Sequence, residues 1–262
     1  MIRTRYKWSV LAVCLCLIWA CVITPRAQAA EGVTLVTGDD YPPITSQDLK
    51  YGGLGVRIVM RAFELADFPV ASLKWQPWAR GFTLTKMGAI DATFPWVPTE
   101  ERGEFFYFSN PIVEMESHLY VDRKAGLSIT TEEDLKGLSY CNPNGYGDFG
   151  VIKRYRKAGI MKRHEPLNMT ACFKMLADGR VDLVMAAKWD AEHGIKSSGE
   201  DVLRFRREGL SIPPLPLALL VTRKNERGPE IIAAFNRGLA KLQKSGEFER
   251  IYREFNFFQY LN

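Results

Sequence analysis

Ile90-Asp91-Ala92-Thr93-Phe94-Pro95-Trp96-Val97-Pro98-Thr99-Glu100-Glu101-Arg102 is the stretch on which the fold turns. Residues 90–94 are apolar and β-branched enough to read as a short strand. Pro95 and Pro98 follow, and neither has an N–H to give to a sheet or to a ligand. Thr99 then stands three residues before Arg102, the spacing of a side chain that caps a short helix. Upstream, 72–75 reads as a strand and Trp78 opens a helix over 78–87. The order is therefore strand, helix, strand, then a loop that ends on a cation. Strands that alternate with helices in this way argue for an α/β protein.

The same alternation extends along the chain. Val33 to Val36 is a strand, and residues 51–55 form a glycine turn. Val56, Val59, Met60, Phe63 and Ala66 repeat at helical spacing, which predicts a helix over 55–67 with one buried face. A second set comprises a helix at 131–136, a strand at 138–141, helices at 149–158 and 169–178, and a strand at 182–186. Asn168 caps the helix at 169–178. Two amphipathic helices close the chain, with Ser245-Gly246 between them. Two segments echo each other, His118-Leu119-Tyr120-Val121-Asp122-Arg123-Lys124 and Ala218-Leu219-Leu220-Val221-Thr222-Arg223-Lys224. Both are apolar strands ending in Arg-Lys, and they flank the second set. They are expected to be paired crossovers between two lobes; the alternative is two ordinary strands of one sheet.

The N-terminus carries an export signal. Arg3, Arg5 and Lys7 precede sixteen uncharged residues, Trp8 to Ile23, and Ala27-Gln28-Ala29 offers a cleavage site near Ala29-Ala30. Sixteen residues are short for a membrane span, which needs about 20. Residues 1–30 hold four of the 35 basic residues and none of the 30 acidic ones. The remainder carries 31 against 30, so the formal charge of +5 belongs mainly to the signal. It implies no nucleic-acid or membrane partner. Cys14, Cys16 and Cys21 leave with the signal. Cys141 and Cys172 remain in an oxidising compartment, where they are expected to pair; the alternative is two buried thiols.

Taken in order, Tyr41-Pro42-Pro43, Trp78, Asp91-Ala92-Thr93-Phe94, Thr99-Glu100-Glu101-Arg102 and Phe108-Ser109-Asn110-Pro111 resemble the family 3 extracellular solute-binding proteins of bacteria. These are periplasmic receptors that feed amino-acid ABC transporters. The resemblance spans residues 31–262 and implies a two-lobed, type II periplasmic-binding fold with two crossover strands and a ligand cleft. The implied division is signal peptide 1–30, a discontinuous lobe 1 from 31–119 and 221–262, and lobe 2 from 120–220. The implied partners are a small-molecule ligand and an ABC permease, with the receptor itself a monomer.

It also implies a site. Arg102, in the Thr-x-x-Arg that begins at Thr99, would take the ligand's carboxylate in a bidentate pair. Tyr41 and Trp78 would sandwich the ligand, with Arg80 a second anion contact and Trp96 a wall. The alternatives are packing for the aromatics, and for Thr99 a helix cap with Arg102 on the helix surface. Two departures stand out. Pro95-Trp96-Val97-Pro98 replaces the small polar residues that cradle a carboxylate in the family. In lobe 2, the family's amine-binding aspartate falls five residues after Asp182, where this chain has Ala187, followed by Lys188. An α-amino acid is thereby put in doubt, and Lys188 would favour a second anion or be a solvated surface lysine.

Gly145-Tyr146-Gly147-Asp148-Phe149-Gly150 matches G-x-G-x-x-G and opens a helix. In an exported chain the better reading is an anion-binding loop at a helix N-terminus that meets the ligand, with Asn142, Asn144 and Tyr146 contributing side chains; the alternative is a flexible glycine turn. Catalytic signatures are scarce. His118, His164 and His193 are far apart, and no metal-ligand spacing, nucleophile elbow or P-loop is present. No cofactor or metal is expected. The function class is a non-enzymatic receptor. The alternatives are a ligand sensor without transport and a cyclohexadienyl-dehydratase-like enzyme of the same fold, which would need a general acid that the sequence does not identify.

Overall fold

Alternation of strands and helices produces two separate sheets in the computed structural model, which describes residues 32–260. The elements run β1 (Val33–Thr37), α1 (Leu54–Leu65), β2 (Val70–Trp75), α2 (Trp78–Lys86), β3 (Ala92–Trp96), α3 (Glu100–Gly103), β4 (Phe106–Phe108), β5 (Val113–Met115) and β6 (Ser117–Asp122). They continue with β7 (Ser139–Cys141), α4 (Gly150–Lys157), β8 (Lys162–His164), α5 (Met169–Ala177), β9 (Leu183–Ala187), α6 (Lys188–Ser198), β10 (Phe205–Arg207), β11 (Leu215–Thr222), α7 (Gly228–Lys244) and α8 (Glu247–Glu254). The first sheet has the order β2-β1-β3-β11-β4, with β5 beside β11; the second is β10-β6-β9-β7-β8. Each mixes parallel βαβ pairs with antiparallel strands where the chain passes from one sheet to the other.

Both sheets bury two faces. In the first, α1 supplies Leu54, Ile58, Val59, Ala62 and Phe63, and α7 supplies Ile231, Phe235, Leu239 and Leu242. A Cβ on Gly238 would come within 1.7 Å of the Ala62 carbonyl oxygen, so α1 and α7 approach backbone to backbone. The opposite face holds Trp96, Phe106 and Leu220 against Phe82. In the second sheet, Phe173, Leu176 and Ile195 cover one face and Val151, Ile152 and Met161 the other. One aspartate does the same work in each sheet. Asp91 accepts from Thr34 N and Oγ1 at 2.8 and 2.6 Å, and Asp182 from Ser139 N and Oγ, both at 2.7 Å. Each ties the turn before a strand to the neighbouring parallel strand. Cys141, at the end of β7, is bonded to Cys172 in α5, and Asn168 Oδ1 caps α5 by accepting from Ala171 N at 3.0 Å.

The two echoing segments do not pair with each other. Residues 117–122 lie in the second sheet between β9 and β10, whereas 215–222 lie in the first between β3 and β4. The antiparallel contact between the two crossings sits just upstream of both echoes, with Val113–Met115 against Leu215–Leu217. The likeness of the echoes reflects a shared fate, since Arg123 and Arg223 each donate from Nε to a backbone carbonyl at a sheet edge. The helix expected at 131–136 is a single tight turn, Glu132–Leu135, held by Asp134 accepting from Thr130 and Thr131. Helix α6 was not expected, because Gly194 interrupts its pattern; a Cβ there would meet Met169 at 2.8 Å. Strands β4, β5, β8 and β10 have three residues each, too few to show a period of two. The expected signal peptide lies outside the described residues. Among the described residues no helix is long and apolar enough to cross a membrane.

Candidate functional site

Loops from both sheets meet around a cleft of about 570 Å³, partly open to solvent. Tyr41, in the turn after β1, is buried; its hydroxyl donates to Met115 Sδ at 3.3 Å. Trp78 opens α2 directly after Pro77. Its ring lies over Gly38, where a Cβ would fall 2.2 Å from the indole, so only glycine admits it. The indole N–H donates to Asp40 Oδ1 at 3.1 Å, turned away from the cleft. Trp96 ends β3 and likewise spends its N–H inward, on Thr93 Oγ1 at 2.9 Å. The two indoles meet edge to face at 5.5 Å.

Arg102 enters the cleft from α3. Its Nη1 donates to Val97 O at 2.6 Å, and its guanidinium lies 4.9 Å from the Trp96 ring and 5.5 Å from Phe82. Among the described residues no carboxylate lies within ion-pair distance of it. The adjacent Glu101 turns outward, taking Lys153 Nζ at 2.6 Å and Lys157 Nζ at 3.5 Å from α4. Burial pushes the Arg102 pKa down to about 10, against a smaller opposing pull from Glu101. Thr99 accepts from Arg102 N at 3.2 Å, so it caps α3.

The second sheet contributes the loop from Asn142 to Phe149. Gly145 adopts φ +88° and presses on the first sheet's side, with a Cβ there falling 3.3 Å from Trp78 Cβ and from Ala79 N. Tyr146 then stands 5.8 Å from Tyr41 and 6.4 Å from Trp78. Arg163 holds this loop. It pairs with the buried Asp148 at 2.9 Å, and its Nη2 donates to the carbonyls of Pro143 and Tyr146, both at 2.9 Å. Asn142 closes the network by donating to Gly147 O and Asp148 Oδ1.

Asp190 completes the lining from the first turn of α6. It is 1 % exposed, and its Oδ1 has no hydrogen-bond partner among the described residues. Burial raises its pKa far above the ordinary carboxylate range, and the charge of Asp40 raises it further. Burial of this kind favours the neutral carboxyl over the carboxylate until a cation joins it.

Of the residues expected at the site, Tyr41, Trp78, Trp96, Arg102 and Tyr146 line this cleft together. Arg80, Thr99, Asn144 and Lys188 do not. Arg80 is exposed on α2, two residues after Trp78 and so on a different face of the helix. Asn144 lines a separate outer groove with Asp39, Asp40 and Trp78. Lys188 points away, its Nζ donating to Gln259 O at 2.7 Å. The expected loss of the anionic partner is corrected as well. Ala187 does line the cleft, but Asp190, three residues further on, brings a carboxylate into it. The sequence signal was an aspartate in the first turn of a helix, where the dipole favours it; the helix itself had gone unnoticed. Among the described residues no cluster of His, Cys, Asp and Glu could hold a metal ion.

Comparison with known proteins places the chain in a family and a fold. Residues 33–258 match the bacterial extracellular solute-binding proteins, family 3, and the chain belongs to that family. A probable histidine-binding protein of Neisseria gonorrhoeae is 23 % identical over 239 residues, covering 88 % of this chain and 85 % of its own. Among solved structures, an ancestral arginine-binding protein bound to arginine aligns with a TM-score of 0.70 at 24 % identity, over 86 % of this chain and 98 % of its own. A histidine kinase sensor domain similar to periplasmic binding proteins aligns with a TM-score of 0.70 at 21 % identity, over 85 % and 95 %. The fold is thus the two-lobed mixed α/β architecture of ligand-binding receptors.

Proposed function

We propose that this family 3 solute-binding protein captures a small zwitterion, with Arg102 taking its carboxylate and Asp190 its cation. The observation that carries this reading is a pair of opposite, ion-unpaired charges in one cleft: a buried carboxylate with a free oxygen and a guanidinium facing no acid. Buried charges left in this way are costly unless a ligand completes them. Tyr41, Trp78, Trp96 and Tyr146 would cover the ligand's apolar atoms.

Capture would proceed by closure of residues 120–220 onto 31–119 and 221–262, with the crossings at 113–117 and 212–217 as the hinge. The Glu101–Lys153 ion pair joins the two sides. Membership of the family supports export to the periplasm and delivery to an ABC permease, and the protein would act as a monomer. The test is calorimetric titration of Arg102→Ala and Asp190→Asn with a zwitterion that binds the parent protein. Both variants should lose affinity about 100-fold while unfolding as cooperatively as the parent. Retained affinity in either would remove that residue from the site.

One observation favours a second reading. Asp190, buried in the cleft wall with its pKa raised, would be the general acid that a cyclohexadienyl-dehydratase-like enzyme requires. It would protonate a departing ring hydroxyl, which leaves as water while the ring's C–carboxylate bond breaks, releasing carbon dioxide and returning its electron pair to the ring. Incubation with a cyclohexadienyl carboxylate, followed by absorbance of the aromatic product, decides between the two.

A further inference from the structure

Several backbone carbonyls around the cleft already have donors of their own. Val97 O is taken by Arg102 and Phe94 O by Thr37 Oγ1 at 2.7 Å. Asn142 O and Tyr146 O are taken by Arg163. Ala186 and Ala187 lie in the antiparallel ladder with His118 and Ser117. The hydroxyl of Tyr41 and both indole N–H groups are turned to partners of their own. Asp190 is the one carboxylate on this lining among the described residues, where the other side-chain acceptors are neutral: Ser117 Oγ, Asn142 Oδ1 and the Tyr146 hydroxyl.

A primary ammonium brings three N–H donors. Asp190 can accept one or two of them, and a buried donor left over forfeits its solvation with no return. The surfaces beside Asp190 are instead aromatic. Tyr41, Trp78 and Tyr146 stand mutually perpendicular, at 82° for Tyr41–Trp78, 89° for Tyr41–Tyr146 and 87° for Trp78–Tyr146, with centroids 5.8–6.4 Å apart. Three perpendicular rings form the corner of a box. Asp40 lies behind the Trp78 indole, and its charge acts on Asp190 from that side. A corner of rings backed by carboxylates attracts positive charge and satisfies few donors.

We propose that the cation of the ligand is N-alkylated, a tertiary or quaternary ammonium on a small carboxylate, and that Tyr41, Trp78 and Tyr146 select it over the primary amine. Its charge is spread over N-methyl groups, which contact ring faces and need no acceptors. The carboxylate end goes to Arg102. This inference rests on the zwitterion reading above and narrows it to a substrate class.

The test uses matched pairs differing only in N-methylation: glycine against trimethylglycine, and 4-aminobutanoate against its trimethyl derivative. The purified protein is stripped of ligand in denaturant, refolded with its disulfide intact and titrated calorimetrically, alongside the twenty common amino acids. The expected result is that the methylated member of at least one pair binds about tenfold or more tighter than its parent. Tyr146→Leu should cut that ratio to threefold or less, with both members still binding. A parent amine that equals or beats its methylated partner overturns the inference and leaves the zwitterion receptor standing. So does binding confined to common amino acids. Absence of binding by every zwitterion overturns both.

Discussion

The two sides of the cleft carry their charges in opposite fashion. On the first-sheet side, Arg102 is held in place before any ligand arrives: Val97 O fixes one nitrogen, Thr99 caps its helix, and the Trp96 and Phe82 rings flank the guanidinium. On the second-sheet side, Asp190 has no such support, and its pKa is driven up by burial. The support there goes one step further out, to the 142–149 loop, where Arg163 donates to backbone carbonyls and is itself held by Asp148. On the proposed reading the first side is a ready anion site, and the second an acid that would ionise when a cation pairs with it. Binding at the second side would then be coupled to proton release, and binding at the first would not.

Removing the outer support should have the largest effect. Arg163→Leu leaves Asp148 buried beside a single remaining cation, Arg156, and should cost about 3–5 kcal/mol of stability by urea denaturation. A loss below 1 kcal/mol would mean that the loop is held by something else. The disulfide acts on the same side. Replacing Cys141 and Cys172 together by serine should cost about 3–4 kcal/mol, consistent with a loop of 31 residues. On the first side, Arg102→Ala should lower affinity for a carboxylate ligand about 100-fold with little change in the unfolding midpoint.

The comparison also predicts a pH profile. Asp190 has a folded pKa raised above its unfolded value, so its contribution to the stability of the empty protein is present below about pH 4 and is lost as pH rises through the folded pKa. Affinity for a cationic ligand runs the other way. It should rise by up to tenfold per pH unit until Asp190 ionises unaided, then hold level until Arg102 begins to deprotonate near pH 10. Calorimetry across pH checks this, and Asp190→Asn should flatten the rising limb. The smallest effect belongs to Glu101→Gln, which removes an exposed contact between the two sides and should change affinity only a few-fold. Its carboxylate, held down to about 2 by the hydrogen bond from Lys153, stays charged throughout the working range.

The same asymmetry decided what could be read from the chain alone. Tyr41, Trp78, Trp96 and Arg102 sit in or beside turns with strong local signatures, and all four line the cleft. The second side was harder, because its residues act through a helix the pattern does not reveal. Gly194 breaks the apolar period of α6 because it packs on Met169 and Phe173, a contact that exists only in the folded protein. Without that helix, Lys188 stood out as the nearest charge and Asp190 did not. The crossings were displaced for a related reason. Three-residue strands such as β5 are defined by their pairing to Leu215–Leu217, not by their own composition. The core elements were legible because they bury whole faces, as in α1 with Ile58, Ala62 and Phe63.

The central claim is that both charges must be satisfied by one ligand, and a thermal-shift comparison of three ligand classes on stripped protein tests it most directly. The panel would be zwitterions, matched simple carboxylates and matched simple ammonium ions, each at the same concentration. The account predicts a shift of several degrees for at least one zwitterion, with its carboxylate and ammonium fragments giving little, because a ligand at about 1,000 times its dissociation constant adds roughly 4 kcal/mol. A simple carboxylate that matches the best zwitterion would contradict it, and would make Asp190 a structural acid unrelated to the ligand.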